Sequence, residues 1–290
     1  MTTSYFVSDL HGHTGRYESL FTEILKKKPS FLFMGGDLLP HVRKSVRMAD
    51  KPIDDFISDY LIPGFRKVQK QLGCNYPEVF MIMGNDDHRV EEEKLRVGEN
   101  MELWRYLNNC RVKFGPYMIY GYPFVPPTPF QLKDWEKYDV SRFVDPGCIP
   151  PTEGYRSIHP DHDTEYSTIQ SDLELLTKDA LMEKAVFLFH SPPYQSFLDR
   201  AGLDGQQADH VPLDVHVGSI AIQRFISDKQ PYITLHGHVH ESASITGHWR
   251  QQFGGTMSFS AAHDGPELSV VIFKLDNPSE SERVLIKHDI

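Results

Sequence analysis

Basic residues are in short supply in this chain: 30 lysines and arginines face 40 aspartates and glutamates in 290 residues, a formal net charge of −10. That balance counts against a nucleic-acid backbone or an anionic membrane as partner, because both favour positive surfaces. A small phosphorylated substrate stays open, since bound cations can supply positive charge locally. Cysteine is nearly absent. Cys74, Cys110 and Cys148 are odd in number and lack short metal-type spacing, so no disulfide framework is expected and a reducing, cytoplasmic setting fits. No apolar run approaches the roughly 20 residues of a membrane helix. The amino terminus enters an apolar strand with no basic segment before it, so no secretion signal is expected. There is no internal repeat, no low-complexity tract and no linker that would justify a second domain. Residues 1–290 are therefore read as one domain, and a homo-oligomer is compatible with that.

Against this plain background, five short apolar runs each end in residues that bind metals. Tyr5 to Val7 leads to Asp9 and His11, and Phe31 to Met34 leads to Gly36-Asp37. Val79 to Met83 leads to Gly84-Asn85-Asp86-Asp87, Ala185 to Phe189 to His190, and Tyr232 to Leu235 to Gly237-His238-Val239-His240. Runs of this length and composition predict buried strands. In layered α/β proteins, ligands bind beyond the carboxyl ends of strands, so five ends can share one pocket. On extended backbone, Asp9 and His11 would face one way, as would His238 and His240. Glycines before Asp37, Asn85 and His238 would permit tight turns.

Between these runs the pattern alternates. Helices are predicted at Arg16 to Lys28, across Asp50 to Leu72 with breaks at its prolines, at Glu102 to Leu107, at Thr164 to Lys184 and at Ser219 to Lys229. Further strands are predicted at Tyr117 to Tyr120, Gly255 to Ala261 and Leu268 to Leu275. Glu91 to Glu93 reads as a solvated face. From 121 to 163 the chain is rich in proline and aromatics, including Pro126-Pro127, Phe130, Trp135 and Tyr138. This stretch predicts an ordered excursion, either over the pocket mouth or along a sheet edge. Its tyrosine and tryptophan suit stacking on a base or sugar, and core packing equally.

Three carboxylate or amide oxygens (Asp9, Asp37, Asn85) and four imidazoles (His11, His190, His238, His240) form a mixed donor set suited to Mn, Fe or Zn. Seven ligands exceed one tetrahedral ion and suit two divalent ions sharing a carboxylate. Two such ions can clamp an in-line displacement at phosphorus and acidify a water between them.

Asp-x-His, Gly-Asp, Gly-Asn-x-Asp, His and Gly-His-x-His, in this order from Tyr5 to about Leu275, resemble the calcineurin-like metallophosphoesterase superfamily. The segment from Val217 to Ser242 resembles its prokaryotic branch of predicted phosphoesterases related to cyclic-nucleotide phosphodiesterases. The resemblance implies an α/β fold, a four-layer α/β/β/α sandwich of two mixed β-sheets flanked by helices. It implies one ion on Asp9, His11, Asp37 and His240, and a second on Asp37, Asn85, His190 and His238. Many members carry a histidine after the Asn to protonate the leaving group, where this chain has Asp86. A carboxylate beside two cations is a poor acid. His88 and His13 are candidates to supply the proton, and His41, His216, His236 and His263 are weaker candidates to touch substrate. Asn85, Gly218 and Ser219 are candidate substrate contacts, the last two at a helix amino terminus. The leading expectation is a dinuclear phosphoesterase for a small phosphodiester or phosphomonoester. A catalytically weak scaffold and a nuclease of the same superfamily are the alternatives. The missing Asp-Arg-Gly after Gly36 counts against a protein phosphatase.

Overall fold

The structure, a computed structural model, describes residues 2–41, 46–48 and 51–287. Its first half runs β1 (Thr3–Val7), α1 (Thr14–Lys27), β2 (Phe31–Gly35), a hairpin of β3 (Val46–Met48) and β4 (Lys51–Ile53), α2 (Ile62–Leu72), β5 (Glu78–Ile82), α3 (Glu92–Asn100), β6 (Arg105–Tyr106), β7 (Cys110–Phe114) and β8 (Tyr117–Tyr122). A long irregular stretch leads to α4 (Ile169–Leu176), β9 (Ala185–Phe189), the short pair β10 (Gln207–Ala208) and β11 (Val211–Pro212), α5 (Ile220–Lys229) and β12 (Ile233–His236). The chain closes with α6 (Ser242–Thr246), β13 (Arg250–Phe253), β14 (Thr256–Ser260), β15 (Leu268–Lys274) and β16 (Asn277–Ile286).

The central strands are apolar on both faces, and this fixes the layering. Two six-stranded sheets form, ordered β16-β15-β1-β2-β5-β6 and β13-β14-β12-β9-β8-β7. Four adjacent strands of each are parallel, with antiparallel strands at the margins. Alternate residues point to opposite faces. Phe6, Phe33 and Phe80 therefore meet Val186, Leu188, Ile233 and Leu235 between the sheets. Their neighbours Tyr5, Leu32 and Val79 share a core with Tyr17, Leu20 and Ile24 of α1 and Phe65 of α2. On the other sheet, Phe187 packs on Phe225 of α5 with ring centroids 4.9 Å apart. Each phenylalanine buried this way contributes roughly 1.5–3 kcal/mol. The result is an α/β protein of two mixed sheets flanked by helices. No helix among the described residues is long and apolar enough to cross a membrane.

Several expectations need correction. Asp50, where a helix was expected to begin, lies outside the described residues; Lys51–Ile53 is strand, and helix begins only at Ile57. Its first turn is π-helical, with the Ile62 N–H donating to the Ile57 carbonyl, just where Pro63 removes a donor. No helix forms over 102–107. The helix is α3, and Leu103 and Trp104 are buried beneath it because Gly98 leaves room for the Trp104 ring. Glu92 is buried and contacts Arg89, Arg96 and Asn108, so Glu91 to Glu93 is only partly a solvated face. The helix expected across 164–184 is confined to α4, which begins at a Thr168–Ser171 capping box. Strands β7, β13 and β16 carry mixed polar patterns and escaped sequence detection.

The proline-rich excursion is tied down by backbone pairs, Val125 with Trp135 and Lys137, and Tyr155 with Gln131 and Lys133. Its side chains also grip the ligand loop after β5. The Trp135 indole donates to the Asp87 carbonyl at 2.8 Å, and Asp134 accepts from the Arg89 N–H at 2.8 Å. Trp135 and Tyr138 are buried, so they serve packing and are not free to stack on a ligand.

Candidate metal centre

Parallel pairing aligns the carboxyl ends of β1, β2 and β5 in one sheet and β9 and β12 in the other. The Gly35 carbonyl accepts from His190 Nδ1 at 2.8 Å, joining the two sheets at this rim. That bond turns His190 Nε2 inward. It lies 3.2 Å from Asp37 Oδ2 and 3.1 Å from Asn85 Oδ1, with the His238 ring centroid 5.3 Å from its own. His11 Nε2 stands 3.9 Å from the same Oδ2 and 3.1 Å from His240 Nε2. His240 Nε2 is also 3.3 Å from Asp9 Oδ1. Ligand atoms held about 2.0–2.2 Å from one ion lie roughly 3.0–3.6 Å from each other. The observed spacings mostly fall there, and Asp9, His11, Asp37 and His240 offer ligand atoms all within 4.8 Å of one another. These four inward-facing ligand atoms suit a divalent cation once His240 gives up its proton.

The backbone reaches this arrangement by a route the sequence did not suggest. Asp9, His11, Asp37 and His238 all have positive φ, at 57°, 47°, 52° and 74°. Extended alternation therefore does not orient these pairs; tight left-handed turns do, at a cost of order 1–3 kcal/mol each. Only Gly36, at φ +93°, serves as a turn glycine among the three expected. Gly84 and Gly237 are needed for space. A Cβ on Gly84 would come 2.3 Å from Asp37 Oδ1, and one on Gly237 would come 2.7 Å from Asp9 Oδ2.

Charge in the cluster is finely balanced. Burial would raise the Asp9 carboxyl, but the His240 hydrogen bond and nearby imidazoles outweigh it and hold it at about 2. Asp37 is likewise held well below the carboxylate range, chiefly by His190 against the opposing effect of burial. The same pairings overcome burial to raise His190 and His240 above the usual imidazole range. Burial and the charge of His190 push His238 down to about 3. Burial, then the charge of Asp37, raises Asp86 to about 6, with His41 opposing.

The remaining predicted residues sort themselves differently. Asp86 donates its N–H to Asp37 Oδ1 at 2.8 Å, and its carboxylate meets His41 Nε2 at 2.9 Å. His41 is stacked on His11 with centroids 5.7 Å apart, which places it nearer the cluster than its sequence context suggested. His88 packs against Tyr155, and His13 sits exposed at the cap of α1; neither joins a group of convergent ligand atoms among the described residues. Gly218 and Ser219 do not offer a phosphate site. Ser219 is fully buried, caps α5 and donates to Asp139, whose carboxylate already accepts from the Ile220 N–H at 2.6 Å. His236 is buried with both ring nitrogens engaged, by the Ser191 carbonyl and the Thr234 hydroxyl. His216 pairs with Asp199 and His263 with Glu267.

Three supporting residues were missed. Asp87 is fully buried and accepts from the N–H groups of Leu38, Leu39 and Gly84, locking the loops after β2 and β5 together. Ser8 donates to Asp9 Oδ2, and Arg16 donates to the Asp9 carbonyl at 2.7 Å. Only Asp87 had a sequence signal, as the last residue of Gly-Asn-x-Asp.

The profile of the calcineurin-like phosphoesterases matches residues 3–242. No curated protein sequence matches. Among solved structures, a protein of Thermus thermophilus is 14% identical with a TM-score of 0.57, and a dimetal phosphatase from Danio rerio is 10% identical with a TM-score of 0.50. In both cases the alignment covers 99% of each chain. At these identities the likeness is one of fold.

Proposed function

The chain belongs to the calcineurin-like phosphoesterase family, and from that premise we propose that it is a dinuclear metal-dependent phosphoesterase hydrolysing a small phosphodiester or phosphomonoester. The observation that carries this reading is Asp37 Oδ2, which lies 3.9 Å from His11 Nε2 and 3.2 Å from His190 Nε2. One carboxylate oxygen between two donor sets is what a shared ligand requires. Asp9, His11 and His240 would complete one set; Asn85, His190 and His238 the other. Two divalent ions bound there, Mn, Fe or Zn by donor chemistry, supply positive charge toward phosphoryl oxygens and acidify a water. The protein's part is to fix the ligands. Gly35 sets the His190 tautomer, Ser8 and the His238 N–H orient Asp9, and Asp86 N–H orients Asp37. The His41–Asp86 pair stands at the cluster's edge, where a leaving group's proton could be handled.

The test is hydrolysis of bis-p-nitrophenyl phosphate and p-nitrophenyl phosphate by Mn-loaded protein, before and after chelation, alongside Asp37→Asn. Metal-dependent turnover lost in Asp37→Asn supports the reading; turnover indifferent to chelation sinks it. Asp86 in place of the family's histidine favours a second reading, a scaffold that keeps the fold without turnover. Increased hydrolysis by Asp86→His would exclude the scaffold, and silence in both forms would favour it.

A further inference from the structure

A cavity of about 290 Å³ opens beside the ligand cluster, with Asp37, Asn85, His238 and His240 at its base. Its walls differ sharply from that base. Pro126, Pro129 and Phe130 of the excursion line it together with Leu203 and Val217. No lysine or arginine lines it among the described residues. Beyond the ligand set, its titratable side chains are Asp86, Glu241 and Cys148. A larger cavity of about 470 Å³ lies at the entering end of β5, by Glu78 and Val79, far from the ligand rim.

Phe130 is 54% exposed, yet its platform is built rigidly. Thr128 donates its N–H and hydroxyl to the Glu136 carboxylate, and its carbonyl accepts from Lys133 Nζ at 2.9 Å. Lys133 and Glu136 pair at 2.6 Å, both with fully buried side chains. The Phe130 N–H then donates to Thr128 Oγ1 at 3.1 Å. Glu241, also in the lining, accepts from the Gly202 N–H at 3.0 Å and so anchors the loop carrying Leu203. A buried ion pair and its hydrogen bonds thus present an apolar ring toward the cavity instead of toward the core.

We infer that this cavity receives the alcohol portion of the ester and selects a neutral apolar or aromatic group over one bearing a second phosphate or carboxylate. The inference rests on the phosphoesterase reading above, which puts the phosphoryl group at the ligand base. An apolar group gains by leaving water against Pro126, Phe130 and Leu203. A second anion would meet Asp86 and Glu241 with no lysine or arginine among the described lining residues to pair with, an arrangement that rejects it.

The test compares 3-carbamoylphenyl phosphate with 3-carboxyphenyl phosphate, near-isosteric esters differing by one charge, on Mn-loaded protein. The carbamoyl ester is expected to have the higher kcat/KM by roughly tenfold or more. Phe130→Ala should raise KM for the carbamoyl ester by roughly tenfold, while inhibition by inorganic phosphate, which engages only the ligand base, stays unchanged. Phe130→Lys should narrow or reverse the preference between the two esters. Calorimetric binding of 1-naphthylphosphonate, weakened in Phe130→Ala, gives a readout independent of turnover. Equal kcat/KM for the two esters, or an unaltered KM in Phe130→Ala, would overturn the pocket while leaving the phosphoesterase reading standing. Absence of hydrolysis with every ester would overturn both.

Discussion

Asp87 shows how a residue that touches no ligand atom can govern the site. Its carboxylate is the acceptor for three buried N–H groups on two ligand loops. Each donor left unmet costs about 1–3 kcal/mol. Asp87→Ala should therefore destabilise the fold by roughly 3 kcal/mol or more, read as a lower urea midpoint, while Asp87→Asn should cost less. A midpoint unchanged in Asp87→Ala would refute the clamp. His236 carries a second expectation. Burial lowers it to about 4 despite its bond to the Ser191 carbonyl. Above pH 6.5 it is neutral folded or unfolded. As pH falls from 6.5 toward 4, the unfolded chain takes a proton that the folded chain refuses, so stability is lost by up to about 1.4 kcal/mol per pH unit. His236→Gln should flatten that slope in denaturation curves at pH 7 and pH 5. The ligand types and their order were legible because metal chemistry restricts them residue by residue. The roles of Asp87 and His41 were not, because each depends on partners, Leu38 and Asp86, that only folding brings near.

At the scale of elements, strands buried on both faces were the easiest to read. β2 and β9 are apolar throughout, and the sequence placed both almost to the residue. β7 and β16 alternate between exposed and half-buried positions at the sheet margins, where little apolar patterning survives. No helix forms over 102–107, where Trp104 instead fills the gap over Gly98. The excursion could be located but not oriented from sequence, because its hold is tertiary. Arg89 is buried against the Trp135 ring at 5.0 Å and grips Asp161 through two hydrogen bonds. Asp161 itself is largely exposed, so its charge is screened and its share of global stability is small, under about 1 kcal/mol. Asp161→Ala should speed amide exchange over residues 155–163 while the urea midpoint barely moves. Exchange unchanged there would show that Arg89 does not restrain the segment.

For the whole molecule, an acidic chain that gathers carboxylates at one rim must neutralise them. The structure does so in part with raised imidazoles, His190 beside Asp37 and His240 beside Asp9. A cation that takes those nitrogens must displace their protons. Metal loading near neutral pH should therefore release protons, and affinity should fall as pH falls, by up to about 100-fold per unit if two protons leave together. Titration calorimetry in Pipes and Tris, whose ionisation enthalpies differ, counts the protons released. A count of zero at pH 7 would contradict the charge balance described here. The same linkage sets the thermal response. Loading at 100 times the dissociation constant adds about 2.7 kcal/mol to the folded state. For a chain of this size that is a rise in Tm of roughly 4–5 °C, and chelation should reverse it. Because protons compete for the same nitrogens, the gap between loaded and chelated Tm should shrink on going from pH 8 to pH 6. A gap independent of pH would mean that the cation binds elsewhere than at the imidazoles of the strand-end rim.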